Sequence, residues 1–284
     1  MIKLSEPFFF GKELLFLKRC LKDKWVSPNG KIAKEFENKI QKYTTGKYNL
    51  GIINCTSALQ LAVKLLAPKK NEEVIVPSIT FAATINSVMY NNCKPIFFDC
   101  DEHLLLDKEK FYSFLKKNTY FKKGSTYNKK TNKKILAVII VNTFGNLFDL
   151  DNNFFNLCRK KNIKIIEDAA ESLGSVHSDK KRNSRVEYSC YSFNGNKLIT
   201  AGGGGIISLK DKKKYNEAIY LSTQAKKDSI QFIHDDVGYN FLISNLHASI
   251  GLAQLLYIKK VLKKKREINY IYKKKINKIR GLKI

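Results

Sequence analysis

The chain lacks the residue patterns that mark zinc-binding, membrane-spanning and secreted proteins. None of its six cysteines belongs to a Cys-x-x-Cys pair and its four histidines are scattered, which excludes a sequence-local zinc ribbon or finger. No run of 18 apolar residues occurs, so no transmembrane helix and no membrane partner are expected. The first residues, MIKLSEPFFFGKELL, lack the apolar core and cleavage site of a secretory signal. We therefore expect a cytoplasmic protein with reduced thiols.

Acidic residues are scarce beside basic ones, with 25 Asp and Glu against 52 Lys and Arg, and the formal charge is +27. A basic chain of this kind invites comparison with nucleic-acid-binding proteins. The lysines, however, occur in short dispersed runs with few aromatic residues between them, and no helix-turn-helix, RNP or finger signature is present. We therefore predict dispersed surface charge and no nucleic-acid partner, with a basic nucleic-acid-binding protein as an alternative. The same charge suits a small anionic substrate.

Apolar strands and amphipathic helices alternate along most of the chain. Apolar residues make up 44% of the sequence, enough for a large buried core. The polar, lysine-rich stretch 118–134 is expected to be an exposed loop or an insertion. The repetition predicts an α/β fold with a mainly parallel sheet and helices on both faces. The predicted strands are 49–54, 73–77, 94–99, 135–142 and 163–167, and the helices between them are 58–66, 81–90, 108–117 and 152–161.

Outside this repetition the pattern is mixed. We predict helices at 11–23, 31–43 and 212–223, and short strands at 187–193 and 205–209. A long helix, or a pair of helices, is predicted to run from about 244 to 278. Its buried stripe is expected to consist of five apolar residues at helical spacing, Ile250, Leu252, Leu255, Ile258 and Val261.

Small polar residues follow the first strand of the repetition, at the end of a parallel sheet where ligands commonly bind. Thr56 and Ser57 come directly after Asn54 and Cys55 and open a helix. Backbone N–H groups at such a helix N-terminus can approach a phosphate. The alternative is that Thr56 or Ser57 is an ordinary helix N-cap.

Three later segments carry residues with chemical potential. Asp168, within Glu167-Asp168-Ala169-Ala170-Glu171, can pair with a cationic ring nitrogen or a metal, or it can be an acidic N-cap. Lys197 lies in a Gly/Asn-rich turn, where desolvation lowers the pKa of an amine and makes it nucleophilic. In so lysine-rich a chain, a solvated surface cation is the alternative. Asn240, close to Gly238, is by itself typical of a turn.

Taken together, these segments resemble the DegT/DnrJ/EryC1/StrS family of pyridoxal phosphate-dependent sugar aminotransferases, which have fold type I. The resemblance extends from Pro7 to Leu255, and its segments are CTSAL, VPSITFAAT, EDAAESLGS, YSFNGNKLITAGGGG, HDDVGYN and SIGLAQL. Two of them, EDAAESLGS and the glycine-rich turn, look most like the subgroup for bacillosamine- and legionaminic-acid-type sugars. The resemblance implies amino transfer from glutamate to C4 of a UDP-linked 2-acetamido-2,6-dideoxy-hexos-4-ulose, for surface-polysaccharide or lipopolysaccharide biosynthesis.

The resemblance also implies a role for each site residue. Lys197 would bond covalently to pyridoxal phosphate and later move a proton between the substrate carbon and C4′ of the cofactor. Asp168 would keep the ring nitrogen protonated. Phe81 would stack on the ring, and Glu171 would lie near the ring hydroxyl. The remaining residues would hold the phosphate: Thr56, Ser57 and Ser192 in the same subunit, and Asn240 across the interface of a homodimer.

Three features differ from the family pattern. Cys55 stands where a glycine is usual, which adds bulk at a tight turn. Phe241 and Leu242 replace the usual Tyr-Arg, so an arginine expected near the active site is absent. Only the entrance helix of the family's small C-terminal domain is present. We therefore expect a cofactor-binding large domain at 1–243 and the helical start of a truncated domain at 244–284. A truncated, non-catalytic homologue that binds pyridoxal phosphate or a sugar nucleotide is the alternative.

Overall fold

The computed structural model describes residues 5–176, 185–228 and 230–282. The strands within these ranges are β1 (Tyr48–Ile52), β2 (Glu73–Pro77), β3 (Lys94–Phe98), β4 (Thr119–Lys122), β5 (Ser125–Asn128), β6 (Ile135–Val141), β7 (Lys164–Asp168), β8 (Tyr188–Ser192), β9 (Gly205–Leu209), β10 (Lys226–Asp228) and β11 (Ile233–His234). The α-helices are α1 (Glu13–Lys22), α2 (Lys31–Ile40), α3 (Cys55–Lys64), α4 (Ala82–Met89), α5 (Lys108–Lys117), α6 (Asn152–Lys160), α7 (Lys212–Ser222), α8 (Asn245–Leu255) and α9 (Ile258–Ile276).

Seven strands form one mixed sheet in the order β1-β9-β8-β7-β6-β2-β3. The strands from β3 to β8 in this order are parallel, and β9 runs antiparallel to both of its neighbours. Every residue of β6, with the sequence ILAVIIV, is buried, as expected for a central strand with both faces covered. The predicted α/β class and mainly parallel sheet are therefore confirmed.

Helices cover both faces of the sheet. Ala58 of α3 and Leu221 of α7 belong to the core on one face, and Phe111 of α5 and Phe154 of α6 belong to the core on the other. A third cluster joins α1, α2 and α8 at the β8–β9 end of the sheet. Most predicted elements are confirmed to within three residues of their bounds.

The prediction of an exposed loop at 118–134 is wrong in part, because this stretch contains the β4–β5 hairpin. Its two-residue turn is Lys123-Gly124, and both residues have positive φ, as a tight hairpin turn requires. Tyr120 and Tyr127 stack across the strands with ring centroids 5.4 Å apart. The Thr126 hydroxyl also donates to the Lys161 carbonyl at 2.6 Å. These contacts order a segment whose lysines hide its strand pattern.

The predicted 244–278 helix is a pair, α8 and α9, with a break at Leu256 and Tyr257. Within the predicted stripe Leu252, Leu255 and Ile258 are buried, while the other two residues are half-buried. In its packing α8 shares a core with α1 and α2. The division of the chain at 243 stays a prediction. Within the described ranges, no helix is long and apolar enough to cross a bilayer.

Candidate active site

A cavity of about 500 Å³ opens at the carboxyl ends of the parallel strands. Residues that directly follow or end β6, β7 and β8 form its walls, together with the N-terminal residues of α3 and the segment before α4. Six of the eight residues predicted for the site line this cavity: Thr56, Phe81, Asp168, Glu171, Ser192 and Lys197. The fold therefore brings together side chains that are up to 141 positions apart in the chain.

The N-terminus of α3 lies at this cavity. Asn54 is the N-cap, since its side chain accepts a hydrogen bond from the Ser57 N–H at 2.8 Å. Thr56 is therefore not needed as the cap, and it lines the cavity. Ser57 is buried at 8% exposure and does not appear among the lining residues, so its predicted contact with a phosphate stays a prediction.

Cys55 fits the turn before Thr56 without a glycine conformation. It is the first residue of α3 and is not among the described residues with positive φ. Gly205 of β9 lets the backbone of this turn approach the sheet closely, because an added Cβ there would lie 2.8 Å from the Cys55 backbone nitrogen. Burial raises the pKa of the Cys55 thiol well above its usual value, so the thiol stays neutral. The Cys55 side chain packs into the apolar core, so the fold accommodates its bulk.

Asp168 is the last residue of β7 and is only 5% exposed. Its Oδ2 accepts from the Thr84 hydroxyl at 2.6 Å, and its Oδ1 accepts from the Ala170 N–H at 3.2 Å. Burial raises the pKa of this carboxyl, although the two hydrogen bonds and the nearby Lys197 charge act in the opposite direction. No salt bridge reaches Asp168 from any residue that the structure describes. A cation placed beside it would stabilise its charged form.

Lys197 is held inside the cavity rather than in solvent. Its side chain is 17% exposed, and its Nζ lies 3.0 Å from Oε1 of Glu171. The other carboxylate oxygen of Glu171 accepts from the Phe144 N–H at 2.8 Å. This geometry does not fit the alternative of a solvated surface cation.

Phe81 and Ser192 complete the walls. Phe81 is the N-cap of α4 and is 82% exposed, an unusual exposure for a large aromatic ring. Ser192 ends β8 and is 8% exposed, and its hydroxyl accepts from the Asn194 N–H at 3.4 Å. An exposed ring and a small hydroxyl thus face the same space as Lys197.

Asn240 lies elsewhere. It is exposed, forms an isolated bridge with Thr223 and lines a separate surface pocket with Gln224 and Lys226. Leu242, where the family has arginine, is buried at 8% exposure in the core. Within one chain, the structure therefore does not bring Asn240 to the Lys197 cavity.

Comparison with known proteins shows which family the chain belongs to. The sequence profile of the DegT/DnrJ/EryC1/StrS aminotransferase family matches residues 11–284. The chain belongs to this family. A GDP-perosamine synthase of Escherichia coli O157:H7 is 34% identical over 276 residues, which cover 97% of this chain and 71% of that protein. A UDP-4-amino-4,6-dideoxy-N-acetyl-beta-L-altrosamine transaminase of Campylobacter jejuni is 30% identical, covering 98% and 70%.

Solved structures support the fold of this DegT/DnrJ/EryC1/StrS family member. Helicobacter pylori PseC, an aminotransferase involved in the biosynthesis of pseudaminic acid, superposes with a TM-score of 0.84 at 22% identity, covering 96% of this chain and 70% of that one. The Spr1654 protein of Streptococcus pneumoniae gives a TM-score of 0.83 at 22% identity, with 96% of this chain and 70% of that one covered. Fold type I is therefore confirmed.

Members of this aminotransferase family are pyridoxal phosphate-dependent enzymes, and the cavity fits that cofactor. The Asp168 carboxyl is buried beside the cavity, and a protonated ring nitrogen placed there would stabilise its charged form against the effect of burial. The N-terminus of α3 with Thr56 suits the phosphate, since orphan N–H groups and the helix dipole favour anions. The amine of Lys197 lies in the same cavity.

Sequence reasoning missed three residues of this family member's cavity region. Thr84 belongs to the VPSITFAAT motif, but nothing in the motif predicts its hydrogen bond to Asp168, which depends on the packing of α4 against the sheet. Asn142 and Phe144 follow β6 and line the cavity. Their only sequence signal is their place after a buried strand, which is where ligand-binding residues of such sheets occur.

Proposed function

We propose that the chain transfers an amino group from glutamate to C4 of a nucleotide-linked 4-keto-6-deoxy sugar, for surface-glycan biosynthesis. The substrate that the motifs favour is a UDP-linked 2-acetamido-2,6-dideoxy-hexos-4-ulose. One observation carries the proposal: the Lys197 amine and the buried Asp168 carboxyl open into the same cavity at the carboxyl end of the sheet. Family membership supplies the reaction class.

Each residue then has a task that its surroundings allow. Pyridoxal phosphate, when bound, supplies an electron sink for the carbon that loses a proton. Lys197 provides the amine that holds the cofactor, and afterwards accepts and returns the proton. Asp168 keeps the ring nitrogen protonated, and Thr84 holds that carboxyl in place. Phe81 covers one face of the ring.

The phosphate has its own set of groups. Thr56 and Ser192 line the cavity near the N-terminus of α3, and we propose that they bind the phosphate oxygens, together with Ser57 and the first N–H groups of the helix. Because these donors are neutral, the favourable interaction with the phosphate charge comes from the dipole of helix α3. Glu171 lies beside Lys197 and is proposed to face the ring hydroxyl.

Asn240 supports a shared site in a homodimer. Since it is exposed and lies outside the Lys197 cavity of its own chain, we propose that it reaches the cofactor phosphate of a second copy. Mixing two inactive variants tests this. In a hybrid of Lys197→Met and Asn240→Asp subunits, one of the two sites has both intact residues, so random mixing restores roughly a quarter of the sites. No restored turnover in a proven hybrid would refute the shared site.

The names of the relatives contain two different nucleotides, UDP and GDP, which suggests a second candidate substrate. One relative is a UDP-sugar transaminase, whereas the synthases from E. coli and Vibrio cholerae, 34% and 32% identical, are GDP-perosamine synthases. A GDP-linked 4-keto-6-deoxy sugar is therefore the alternative to the UDP-linked acetamido sugar.

A substrate panel tests both candidates. The purified chain, loaded with pyridoxal phosphate, is incubated with glutamate and each of the UDP-, GDP- and dTDP-linked 4-keto-6-deoxy sugars. We expect 2-oxoglutarate and a 4-amino sugar with one of them, and none with the Lys197→Met variant. Cofactor binding without turnover of any sugar would favour the non-catalytic binding homologue.

A further inference from the structure

Glu171 makes two contacts that connect the reactive lysine to a turn of the opposite wall. Its Oε1 lies 3.0 Å from the Lys197 Nζ, and its Oε2 accepts from the Phe144 N–H at 2.8 Å. Hydrogen bonds to an ionised group are stronger than those between neutral groups. A single carboxylate therefore fixes both the amine and the backbone of the 143–145 turn.

The 143–145 turn needs such an external tie. Phe144 has φ 55° and ψ 20°, a left-handed conformation that is unfavourable for a residue with a Cβ. The adjacent Thr143 is 7% exposed, and its hydroxyl has no hydrogen-bond partner among the residues that the structure describes. Because the Phe144 backbone is unfavourable and the Thr143 hydroxyl is unpaired within the described part of the chain, contacts with neighbouring residues must stabilise the turn. Among them is the hydrogen bond from the Phe144 N–H to the Glu171 carboxylate.

The turn carries an aromatic ring that makes no ring-ring or cation–π contact with the part of the chain that the structure describes. Phe144 is 76% exposed, although it lines the cavity. Phe81, the other strongly exposed ring there, has a proposed task against the cofactor ring. Because ligand cavities are lined mainly by apolar and aromatic side chains, the ring of Phe144 is available for a contact with the substrate.

We infer that Glu171 is a positioning residue, which places Phe144 against the sugar ring of the nucleotide sugar. Lys197 fixes the carboxylate, the carboxylate fixes the Phe144 N–H, and the ring is thereby set at the mouth of the cavity. The identity of the ligand rests on the proposed function, whereas the tie itself does not. Glu171 thus has a task toward the substrate in addition to its place near the cofactor.

Amide hydrogen exchange of the 143–145 segment in the cofactor-free protein tests the tie. Glu171→Ala is expected to speed exchange by roughly tenfold or more, because the charged acceptor is lost. Lys197→Met is expected to give a smaller increase, and Glu171→Gln an intermediate one, since its single carbonyl oxygen must serve either partner. Glu217→Ala is the control, because Glu217 is also ion-paired and similarly exposed but lies on α7. Unchanged exchange in Glu171→Ala would overturn the inference.

Steady-state kinetics test the substrate contact. Phe144→Ala is expected to raise KM for the nucleotide sugar roughly tenfold, with kcat and the KM for glutamate little changed, while Phe144→Tyr stays close to the parent. An unchanged KM for the nucleotide sugar in Phe144→Ala would overturn the proposed contact. Loss of the dimer in that variant would also overturn it, because the ring would then belong to a subunit interface. If the parent protein turns over no sugar, the proposed function fails, and hydrogen exchange still decides the tie.

Discussion

Glu167 and Asp168 are adjacent acids at the end of one strand, yet they have different surroundings. Successive strand residues face opposite sides of a sheet, so the two side chains point apart. Glu167 is 2% exposed and accepts from the Asn142 Nδ2 at 2.9 Å and the Ser189 hydroxyl at 2.7 Å. Asp168 is similarly buried, but it borders the cavity.

The two carboxylates differ in whether protein groups occupy all of the space around their oxygens. Glu167 connects β7 to β8 through Ser189 and to the segment after β6 through Asn142, so its neighbours in the chain fix both oxygens. Asp168 has one hydroxyl and one N–H donor, and its remaining surface faces space that a ligand can fill. Burial alone therefore does not identify a functional acid. We expect substitutions on the cavity side to reduce the reaction and substitutions on the Glu167 side to reduce stability.

The largest effect on the reaction is expected for Lys197→Arg. A guanidinium keeps the positive charge and the contact with Glu171, but it is not a usable amine nucleophile. Turnover is expected to fall by at least roughly a thousandfold, with the melting temperature almost unchanged. Absorbance in the visible range after addition of pyridoxal phosphate checks the covalent link, and a band of normal intensity in this variant would contradict the assignment.

The sheet could be predicted from the sequence because buried parallel strands are continuous apolar runs, as in β6. The hairpin at 119–128 could not, since its order depends on a tyrosine stack and on a contact with Lys161 that is remote in sequence. Asn54 illustrates the same limit on a smaller scale. The sequence is compatible with Thr56 or Ser57 as the cap, and only the structure shows that Asn54 accepts the hydrogen bond from the Ser57 N–H.

For the site, the order of short motifs predicted Lys197 and Asp168, and the structure brings both residues to one cavity. Their roles stay a prediction. The contact between Thr84 and Asp168 was beyond that reasoning, because a threonine in an apolar helix has no pattern that marks a carboxylate partner. The left-handed backbone of Phe144 was equally hidden, since most residues with positive φ are expected to be glycine, asparagine or aspartate.

The second largest effect on the reaction is expected for Asp168→Asn. The amide has the shape of the carboxyl group but does not favour a protonated ring nitrogen, so the rate is expected to fall by roughly 100-fold or more. Some cofactor binding is expected to remain. Single-turnover kinetics with glutamate measure the effect on the first half-reaction, and a rate close to that of the parent would show that this acid belongs with Glu167 as part of the framework.

The opposite pattern is expected for Glu167→Ala. Removal of the carboxylate leaves the Asn142 amide and the Ser189 hydroxyl buried without this acceptor, which costs about 2–4 kcal/mol of unfolding free energy. Turnover per folded molecule is expected to fall less than in Asp168→Asn, since Glu167 does not line the cavity and acts on it through its hydrogen bond with Asn142. Urea unfolding checks the first expectation, with Glu217→Ala as an exposed control. A stable variant with severely reduced turnover would reverse the comparison.

The smallest effect is expected in the pH dependence of stability without cofactor. Because burial raises the pKa of Asp168 above its ordinary value of 3.8, the folded protein binds this proton more tightly than the unfolded chain does. The contribution of Asp168 to stability is therefore fully present below pH 3.8 and is lost as the pH rises through the raised pKa.

The difference in unfolding free energy between the parent and Asp168→Asn isolates this carboxyl from other groups, such as Glu37, whose pKa is also raised by burial. We expect the difference to shift in favour of the Asn variant as the pH rises, and pyridoxal phosphate to reverse the shift, since a ring cation beside Asp168 stabilises its charged form. A difference that does not vary with pH would mean that the protein neighbours of Asp168 already compensate for its burial, and that its pKa is the same in the folded and unfolded states.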